Sequence, residues 1–275
     1  MKLPHAPDWL AYLAVAAALA VFAVGVPWRG GKPSRAQASA PAASGQPLAP
    51  ASLFDPAIWV NAPPPGPGTG TAFSVADSGV WLTARHVVDG CATTVIVTSP
   101  GHGVAARARL WPGRETAVLY TRGGAPALPV APAEGLRRGE RVFHPGFPDA
   151  RPGQAKSELA RRATLWVGGR GLRAEPVLSL VETGRSPVKH GALTGLSGAP
   201  ALDASGRVLG VTVAEAPRRR RLYVTTPSSL RAALAQAGVK PVEGPGEAMT
   251  ATTYGAVSDD LRARLSIAEV ECLGR

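Results

Sequence analysis

Short apolar segments, each about four to nine residues long, follow one another along the chain from about Gly68 to about Pro227. Gly, Pro, Asp and Ser separate them, which is the pattern of strands joined by tight turns. The segments are GTAFSVA, VWLTARHVV, TTVIVTS, AVLYT, RVFHPGF, ATLWVG, PVLSLVE, APALD, RVLGVTVA and LYVTTP. Many short strands at regular spacing predict an all-β sandwich or a pair of barrels, and they argue against alternating βαβ units.

Two later segments have helical rather than strand periodicity. Residues 228–238, SSLRAALAQAG, place Leu230, Ala233 and Leu234 on one face, begin with serine and end at glycine. A serine start, an apolar stripe and a glycine stop are typical of an amphipathic helix. Residues 258–265, SDDLRARL, indicate a second helix.

Residues 9–27, WLAYLAVAAALAVFAVGVP, contain no charged side chain. About 20 apolar residues are enough for a helix to span a bilayer, so we expect a transmembrane helix that remains as an anchor. The alternative is a cleaved signal peptide, for which Ala36-Gln37-Ala38 would be the cleavage motif. That motif lies well beyond the apolar stretch, which favours the anchor. We therefore assign residues 1–30 to a signal-anchor segment.

The charges that flank this segment do not agree with export. Lys2 precedes it, whereas Arg29, Lys32 and Arg35 follow it. Read strictly, the positive-inside rule leaves the rest of the chain in the cytoplasm. The two indications conflict, and we expect export because the N-terminal tail is very short.

Residues 31–67 are rich in Pro, Ala, Ser and Gly. Such a composition buries too little apolar surface to fold, so it predicts a disordered tether. Within it, SLFDPAIWV at 52–60 has enough apolar residues to pack on the domain that follows. We assign that domain to residues 68–240 and a C-terminal tail to residues 241–275.

The chain carries 30 Lys and Arg against 19 Asp and Glu, which gives a formal net charge of +11. A nucleic-acid-binding chain would carry a basic stripe interleaved with aromatic residues, whereas the basic residues here are scattered. Arg218–Arg221 is the dense run, and we interpret it as a solvated hairpin turn; contact with anionic lipid is the alternative. We therefore expect no nucleic-acid partner.

The two cysteines, Cys91 and Cys272, do not have the paired C-x-x-C spacing of zinc sites. In an oxidising compartment they would form a disulfide between the C-terminal tail and the region near His86, and otherwise they would remain free thiols. His102, His144 and His190 have no paired ligands at metal spacing. We expect them to be structural or exposed, and we expect no metal or cofactor.

Three segments together carry the residue types that acyl transfer requires. They are VWLTARHVVDGC with His86, RETAVLY with Glu115, and ALTGLSGAPAL with Ser197. A serine hydroxyl becomes a nucleophile when an imidazole removes its proton, and a carboxylate holds that imidazole in the required tautomer. The backbone N–H groups of Gly195 and Ser197 would hold the oxyanion.

The order histidine, acid, serine, with the sequences around these residues, resembles the trypsin-like serine peptidases of the chymotrypsin fold, and most nearly their HtrA-like bacterial branch. The matching motifs are Gly68-Thr69-Gly70, Thr83-Ala84-Arg85-His86-Val87-Val88, Glu115-Thr116-Ala117-Val118-Leu119, Gly195 to Pro200, and Arg207-Val208-Leu209-Gly210-Val211. The resemblance extends from about Gly68 to about Leu230. About 35 residues follow the domain, so we expect no PDZ domain of the kind found in full-length HtrA proteins.

The resemblance implies two antiparallel six-stranded barrels with the active site in the cleft between them. His86 and Glu115 would come from the first barrel and Ser197 from the second. It also implies a serine endopeptidase in which His86 is the general base and acid, Ser197 the nucleophile and Glu115 the orienting acid.

The same resemblance puts the substrate pocket just before the serine and on the strand after it. The residues there are Thr194, Thr212, Val213 and Ala214. Small and apolar walls favour a small or medium aliphatic side chain of a protein or peptide substrate. Together with the anchor, this predicts an enzyme of the bacterial inner membrane with a periplasmic catalytic domain, or a secreted or periplasmic enzyme if the segment is cleaved.

Two positions depart from the family. The acid is normally aspartate, and the extra methylene of Glu115 moves the carboxylate by roughly 1.5 Å. A different acid could serve instead, with Asp77 and Asp149 as remote candidates and Asp89 too close to the histidine. Ala199 stands where glycine is usual, which is tolerated unless that residue needs a positive φ. We predict an active peptidase, and the alternatives are an esterase, a self-processing peptidase and a catalytically inactive peptide-binding module.

Overall fold

The computed structural model describes residues 45–62, 66–169, 172–186 and 191–274. Within these residues, no helix is long and apolar enough to cross a membrane. The transmembrane helix expected at 9–27 lies outside the described residues, as do residues 31–44 and 63–65 of the tether expected at 31–67.

Strands account for most of the regular structure in the described residues. In chain order they are β1 (Ala57–Asn61), β2 (Gly68–Ala76), β3 (Val80–Ala84), β4 (Thr93–Ser99), β5 (His102–Arg109), β6 (Thr116–Tyr120), β7 (Arg141–Gly146), β8 (Gly153–Gly168), β9 (Arg173–Ser186), β10 (Pro200–Leu202), β11 (Val208–Ala216), β12 (Arg221–Thr225) and β13 (Ile267–Leu273). The α-helices of the described residues are α1 (Arg85–Val88), α2 (Pro227–Ala237) and α3 (Tyr254–Ala263).

The first barrel is closed in the order β13-β2-β3-β6-β5-β4. All neighbouring strands in it are antiparallel. Its fully buried side chains include Phe73, Leu82, Ile96 and Leu119, one from each of four strands. Each such side chain contributes about 1.5–3 kcal/mol when it leaves water, so the barrel interior is the main source of its stability.

The second barrel follows the order β8-β7-β10-β11-β12-β9, and the β8–β9 pairing closes the ring. Phe143, Leu159, Leu180 and Leu202 are fully buried there. Outside the ring, β1 adds to β8 as a parallel strand, and Trp59 stacks on Trp166 with ring centroids 5.2 Å apart. The prediction of two antiparallel six-stranded barrels is confirmed.

The segment that we expected to be a C-terminal tail supplies the sixth strand of the first barrel. β13 pairs with β2 from Ile267–Phe73 to Cys272–Gly68, and with β4 on its other side. A disulfide joins Cys91 to Cys272, across a sequence separation of 181 residues. The last strand in the sequence therefore closes the barrel that begins the domain.

Helix α2 lies where its periodicity predicts it. The Thr226 side chain accepts a hydrogen bond from the N–H of Ser229, and Gly238 ends the helix with a φ of 71°. Threonine is a favoured N-cap residue, and Pro227 follows it at the first helical position, for which proline is well suited. The hairpin turn expected at Arg218–Arg221 is also confirmed, since β11 and β12 pair antiparallel on either side of it.

Candidate active site

His86 lies on α1, a single helical turn that directly follows β3. All five residues of β3 are buried, so the strand ends at a fixed point in the first barrel. Val87 and Val88 then pack into the core, which leaves the half-buried His86 directed away from it. The N–H of Arg85 donates to the carbonyl oxygen of Glu115 at 2.6 Å. The backbones beside the two predicted site residues are therefore joined directly.

Glu115 lies just before β6 and is 1% exposed. Its Oε2 is 3.4 Å from Nδ1 of His86, and its Oε1 accepts a hydrogen bond of 2.7 Å from Nε of Arg173. Burial would raise the pKa of this carboxyl. The hydrogen bonds and positive charges of His86 and Arg173 outweigh that effect and hold the pKa of Glu115 below its usual value.

Glu175 lies on β9, two residues after Arg173, and it is also buried. Its Oε2 accepts a hydrogen bond of 2.5 Å from the backbone N–H of Glu115. Burial raises the pKa of Glu175 to about 7. One strand of the second barrel therefore contacts both the backbone and the side chain of Glu115.

Thr71 on β2 of the first barrel holds the loop around Ser197 by two hydrogen bonds. The N–H of Thr71 donates to the carbonyl oxygen of Ser197 at 2.9 Å, and the Thr71 hydroxyl donates to that of Gly195 at 2.8 Å. Gly198 has a φ of 89°, and a Cβ there would lie 2.0 Å from the Thr71 carbonyl oxygen. A residue with a side chain would therefore displace the loop from the first barrel.

Two N–H groups of this loop are available as donors. Within the described part of the chain, the N–H groups of Gly195 and Ser197 have no hydrogen-bond acceptor, whereas the N–H of Leu196 between them donates to Leu193 at 2.9 Å. Two unpaired donors beside a serine hydroxyl are the arrangement that stabilises a developing oxyanion. Ala199 is not among the residues with positive φ, so its Cβ is accommodated.

A cleft of about 600 Å³ contains the predicted site residues. The residues that line it include His86, Glu115, Thr194, Gly195, Ser197, Thr212, Val213 and Ala214. No hydrogen bond joins the side chains of Ser197 and His86 among the described residues. Such contacts are often long in the absence of substrate and shorten when it binds.

The cleft has further walls that the sequence did not indicate. Val60 to Ala62, at the end of β1, and Gly66 to Thr69 also line it. Glu215 also lines it, and both of its carboxylate oxygens accept hydrogen bonds from the N–H of Leu193, at 2.8 and 3.0 Å. Burial is the main cause that raises the pKa of Glu215.

Arg173 and Glu175, which contact Glu115, are two further site residues that the sequence did not indicate. A signal was present, because both charges fall on the inward-facing alternate positions of a strand that continues into the buried Val177. Charged residues at such positions in a strand are seldom buried without a partner. The sequence could not indicate which partner that would be.

Two of the alternative acids, Asp89 and Asp77, have partners other than His86. Asp89 accepts from Nε of Arg85 at 3.0 Å, and Asp77 accepts from the N–H of Ala127 at 2.8 Å.

His144 is fully buried between the hydroxyls of Thr212 and Ser157, at 3.0 and 2.7 Å. Burial lowers the pKa of His144 to about 3, so it is a neutral structural residue.

His102 is exposed, and His190 lies outside the described residues. In the part of the chain that the structure describes, no group of three His, Cys, Asp or Glu residues is placed to hold a metal ion.

Comparison with known proteins identifies the family. The model of the trypsin-like peptidase domain matches residues 68–211. A search of curated proteins gave no match.

Solved structures with a similar fold include the active form of the Rv3671c protease from M. tuberculosis. That structure is 20% identical, with a TM-score of 0.51, and the match covers 76% of this chain and all 100% of the other. Another is the HtrA-type protease AlgW with a decapeptide, which is 20% identical with a TM-score of 0.49. That match covers 62% of this chain, and this chain spans only 51% of AlgW.

The resemblance drawn from the sequence motifs is confirmed by the family match. The match extends over more than half of the sequence, and the matched residues include the strand before His86, the strand after Glu115 and the loop around Ser197. The chain therefore belongs to the trypsin-like peptidase family of serine endopeptidases.

Proposed function

We propose that His86, Glu115 and Ser197 form the catalytic triad with which this chain hydrolyses peptide bonds. One observation carries the proposal: the imidazole that faces the Glu115 carboxylate lines the same cleft as Ser197, whose own N–H and that of Gly195 are unpaired. Base, nucleophile and oxyanion donors are the groups that acyl transfer requires.

The reaction follows from these roles. Nε2 of His86 takes the hydroxyl proton of Ser197 as the serine oxygen bonds to the substrate carbonyl carbon. The carbonyl oxygen gains negative charge and accepts from the N–H groups of Gly195 and Ser197. His86 then gives its proton to the leaving amine, and an acyl-enzyme remains. A water molecule, deprotonated by His86, releases the acid and restores Ser197.

Glu115 acts by holding His86 rather than by exchanging protons. A carboxylate on the Nδ1 side keeps the Nδ1–H tautomer, which leaves Nε2 free to act as a base. The lowered pKa of Glu115 keeps the carboxylate ionised at neutral pH, and it stabilises the imidazolium that forms during the reaction.

We also propose that the substrate side chain next to the cleaved bond is small or medium-sized and aliphatic. Val213, Ala214 and Leu222 supply apolar walls in the cleft, and the carboxylate of Glu215 is occupied by the N–H of Leu193. A peptide panel varied at this position checks the preference. Alanine, valine or leucine should be cleaved fastest, and fastest cleavage after arginine would contradict it.

Membrane tethering and export are a further part of the proposal. Residues 9–27 are apolar and uncharged, and a disulfide such as Cys91–Cys272 persists in oxidising compartments. Cell fractionation tests the tether: the full chain should sediment with membranes, whereas a chain lacking residues 1–30 should remain in the soluble fraction. A soluble full chain would indicate cleavage of the segment instead.

The triad is tested by labelling the full chain with a fluorescent fluorophosphonate. This probe bonds to serine only when a base has activated the hydroxyl, and it requires no knowledge of the substrate. We expect labelling of the parent and a loss of at least about a thousandfold in Ser197→Ala and His86→Ala. Ser205→Ala, in a turn outside the cleft, is the matched control and should label normally. A folded parent that does not label would favour the inactive peptide-binding module.

A further inference from the structure

We propose that Arg173 is a positioning residue for the catalytic acid: it binds one oxygen of Glu115 so that the other faces His86. The inference deepens the proposed function and rests on it. It also gives a reason why a glutamate can occupy a position where the family normally carries aspartate.

The two oxygens of Glu115 have different partners. Oε1 accepts from Nε of Arg173 at 2.7 Å, and Oε2 lies 3.4 Å from Nδ1 of His86. The side chains of Arg173 and Glu115 are 7% and 1% exposed, so water does not compete for either oxygen. With Oε1 bound, rotation of the carboxylate is restricted and Oε2 is left for the imidazole.

A glutamate needs such a partner more than an aspartate does. Its additional rotatable bond gives the carboxylate more positions, and fixing them costs side-chain entropy. Here β9 holds both the backbone and the side chain of Glu115. Glu175 accepts from the backbone N–H of Glu115, and Arg173 donates to the Glu115 carboxylate. The strand of one barrel thus orients an acid that belongs to the other barrel.

Arg173 also supplies a permanent positive charge at a buried carboxylate. The other titratable groups around Glu115 are His86 on α1, Glu175 on β9 and the neighbouring Arg114. Burial favours the neutral acid, and His86 is neutral when it acts as a base. The guanidinium in direct contact therefore keeps Glu115 charged at the pH where the imidazole must be free.

An arginine that only stabilised the fold would give a different result. Its loss would lower the amount of folded protein by the same factor at every pH. Loss of a positioning residue lets the pKa of Glu115 rise, so activity falls most on the acid side and returns at alkaline pH. The pH dependence of the reaction therefore separates the two roles.

The test measures the rate of fluorophosphonate labelling of the full chain at a series of pH values from about 5 to 9. At pH 7 we expect Arg173→Gln to label about 100-fold more slowly than the parent, with the midpoint of its acid limb at higher pH. Arg173→Lys keeps the charge and should retain the parent's midpoint. Arg161→Gln removes an exposed arginine from β8 and is the matched control.

A loss below about threefold for Arg173→Gln, or a loss of the same size at every pH, would overturn the proposal. If that variant does not fold, as judged by circular dichroism, Arg173→Lys decides. A retained midpoint with at least about a tenth of the parent's rate supports the role, and a larger loss that is uniform in pH overturns it.

The outcome is distinguishable from failure of the proposed function. If the parent labels at Ser197 and Arg173→Gln labels as the parent does, the triad is supported and the positioning role of Arg173 is refuted. If the folded parent does not label while its thermal unfolding is normal, both the triad and the role of Arg173 are refuted.

Discussion

Glu175 is a buried carboxyl group whose proton is retained to unusually high pH. Burial raises its pKa from 4.5 to about 7. The folded chain holds this proton at pH values where the unfolded chain has released it, so Glu175 stabilises the fold fully below about pH 4.5. That stabilisation is lost as the pH rises through about 7.

The side chain of Glu175→Gln stays neutral, so its free energy of unfolding should fall less between pH 5 and pH 8 than that of the parent. The parent's fall should exceed the variant's by on the order of 2–3 kcal/mol. Urea unfolding at the two pH values measures it. Glu158→Gln makes the same change on an exposed part of β8 and should follow the parent. Equal behaviour of the two variants would refute the pKa shift.

At the scale of elements, helix α3 connects the C-terminal segment to the second barrel. Nη1 of Arg262 donates to the carbonyl oxygens of Gly146 and Gly153, at 3.3 and 3.1 Å, and Nη2 donates to Gln154 at 2.9 Å. These acceptors lie at the two ends of the β7–β8 turn. Within that turn, the N–H of Asp149 donates to the carbonyl oxygen of Thr194 at 2.6 Å. The helix thus supports the loop that carries the serine.

Arg262→Gln should lower the free energy of unfolding by about 2–4 kcal/mol, because it removes the buried hydrogen bonds that the guanidinium donates to Gly146, Gly153 and Gln154. It should also slow fluorophosphonate labelling of the protein that remains folded, since the turn against Thr194 loses its support. Thermal unfolding and labelling rates measure the two effects. Arg264→Gln, at a half-exposed arginine that pairs with Glu247 at 3.4 Å, should change stability by less than about 1 kcal/mol. Similar losses in both variants would contradict the role given to Arg262.

At the scale of the whole molecule, local patterns predicted the barrels but not all of their strands. The strand leading to His86 and the glycine loop around Ser197 are recognisable because each motif is contiguous in sequence. IAEVECL, the sequence of β13, also alternates apolar and polar residues. Nothing local shows, however, that it pairs with β2 and β4, almost the length of the domain away. Register between distant strands depends on the assembled barrel rather than on either sequence.

The same limit applies to the site. His86, Glu115 and Ser197 could be predicted as residue types in a fixed order, whereas Arg173 could not. Its partner is 58 residues away in sequence and belongs to the other barrel. The contact exists only because the β8–β9 hairpin reaches the first barrel, so the geometry of the contact depends on the tertiary structure. A buried charge in a strand is visible in sequence, but the group that neutralises it is not.

The position of β13 also determines when the enzyme can first work during its own synthesis. A ribosome adds roughly 5–20 residues per second, so residue 267 follows residue 73 by roughly 10–40 s. Throughout that interval β2 and β4 have open edges where β13 will pair, and the wall of the cleft that holds His86 and Glu115 belongs to an unfinished barrel. The first barrel, and with it the wall of the cleft that carries His86 and Glu115, is consequently completed only after β13 has emerged.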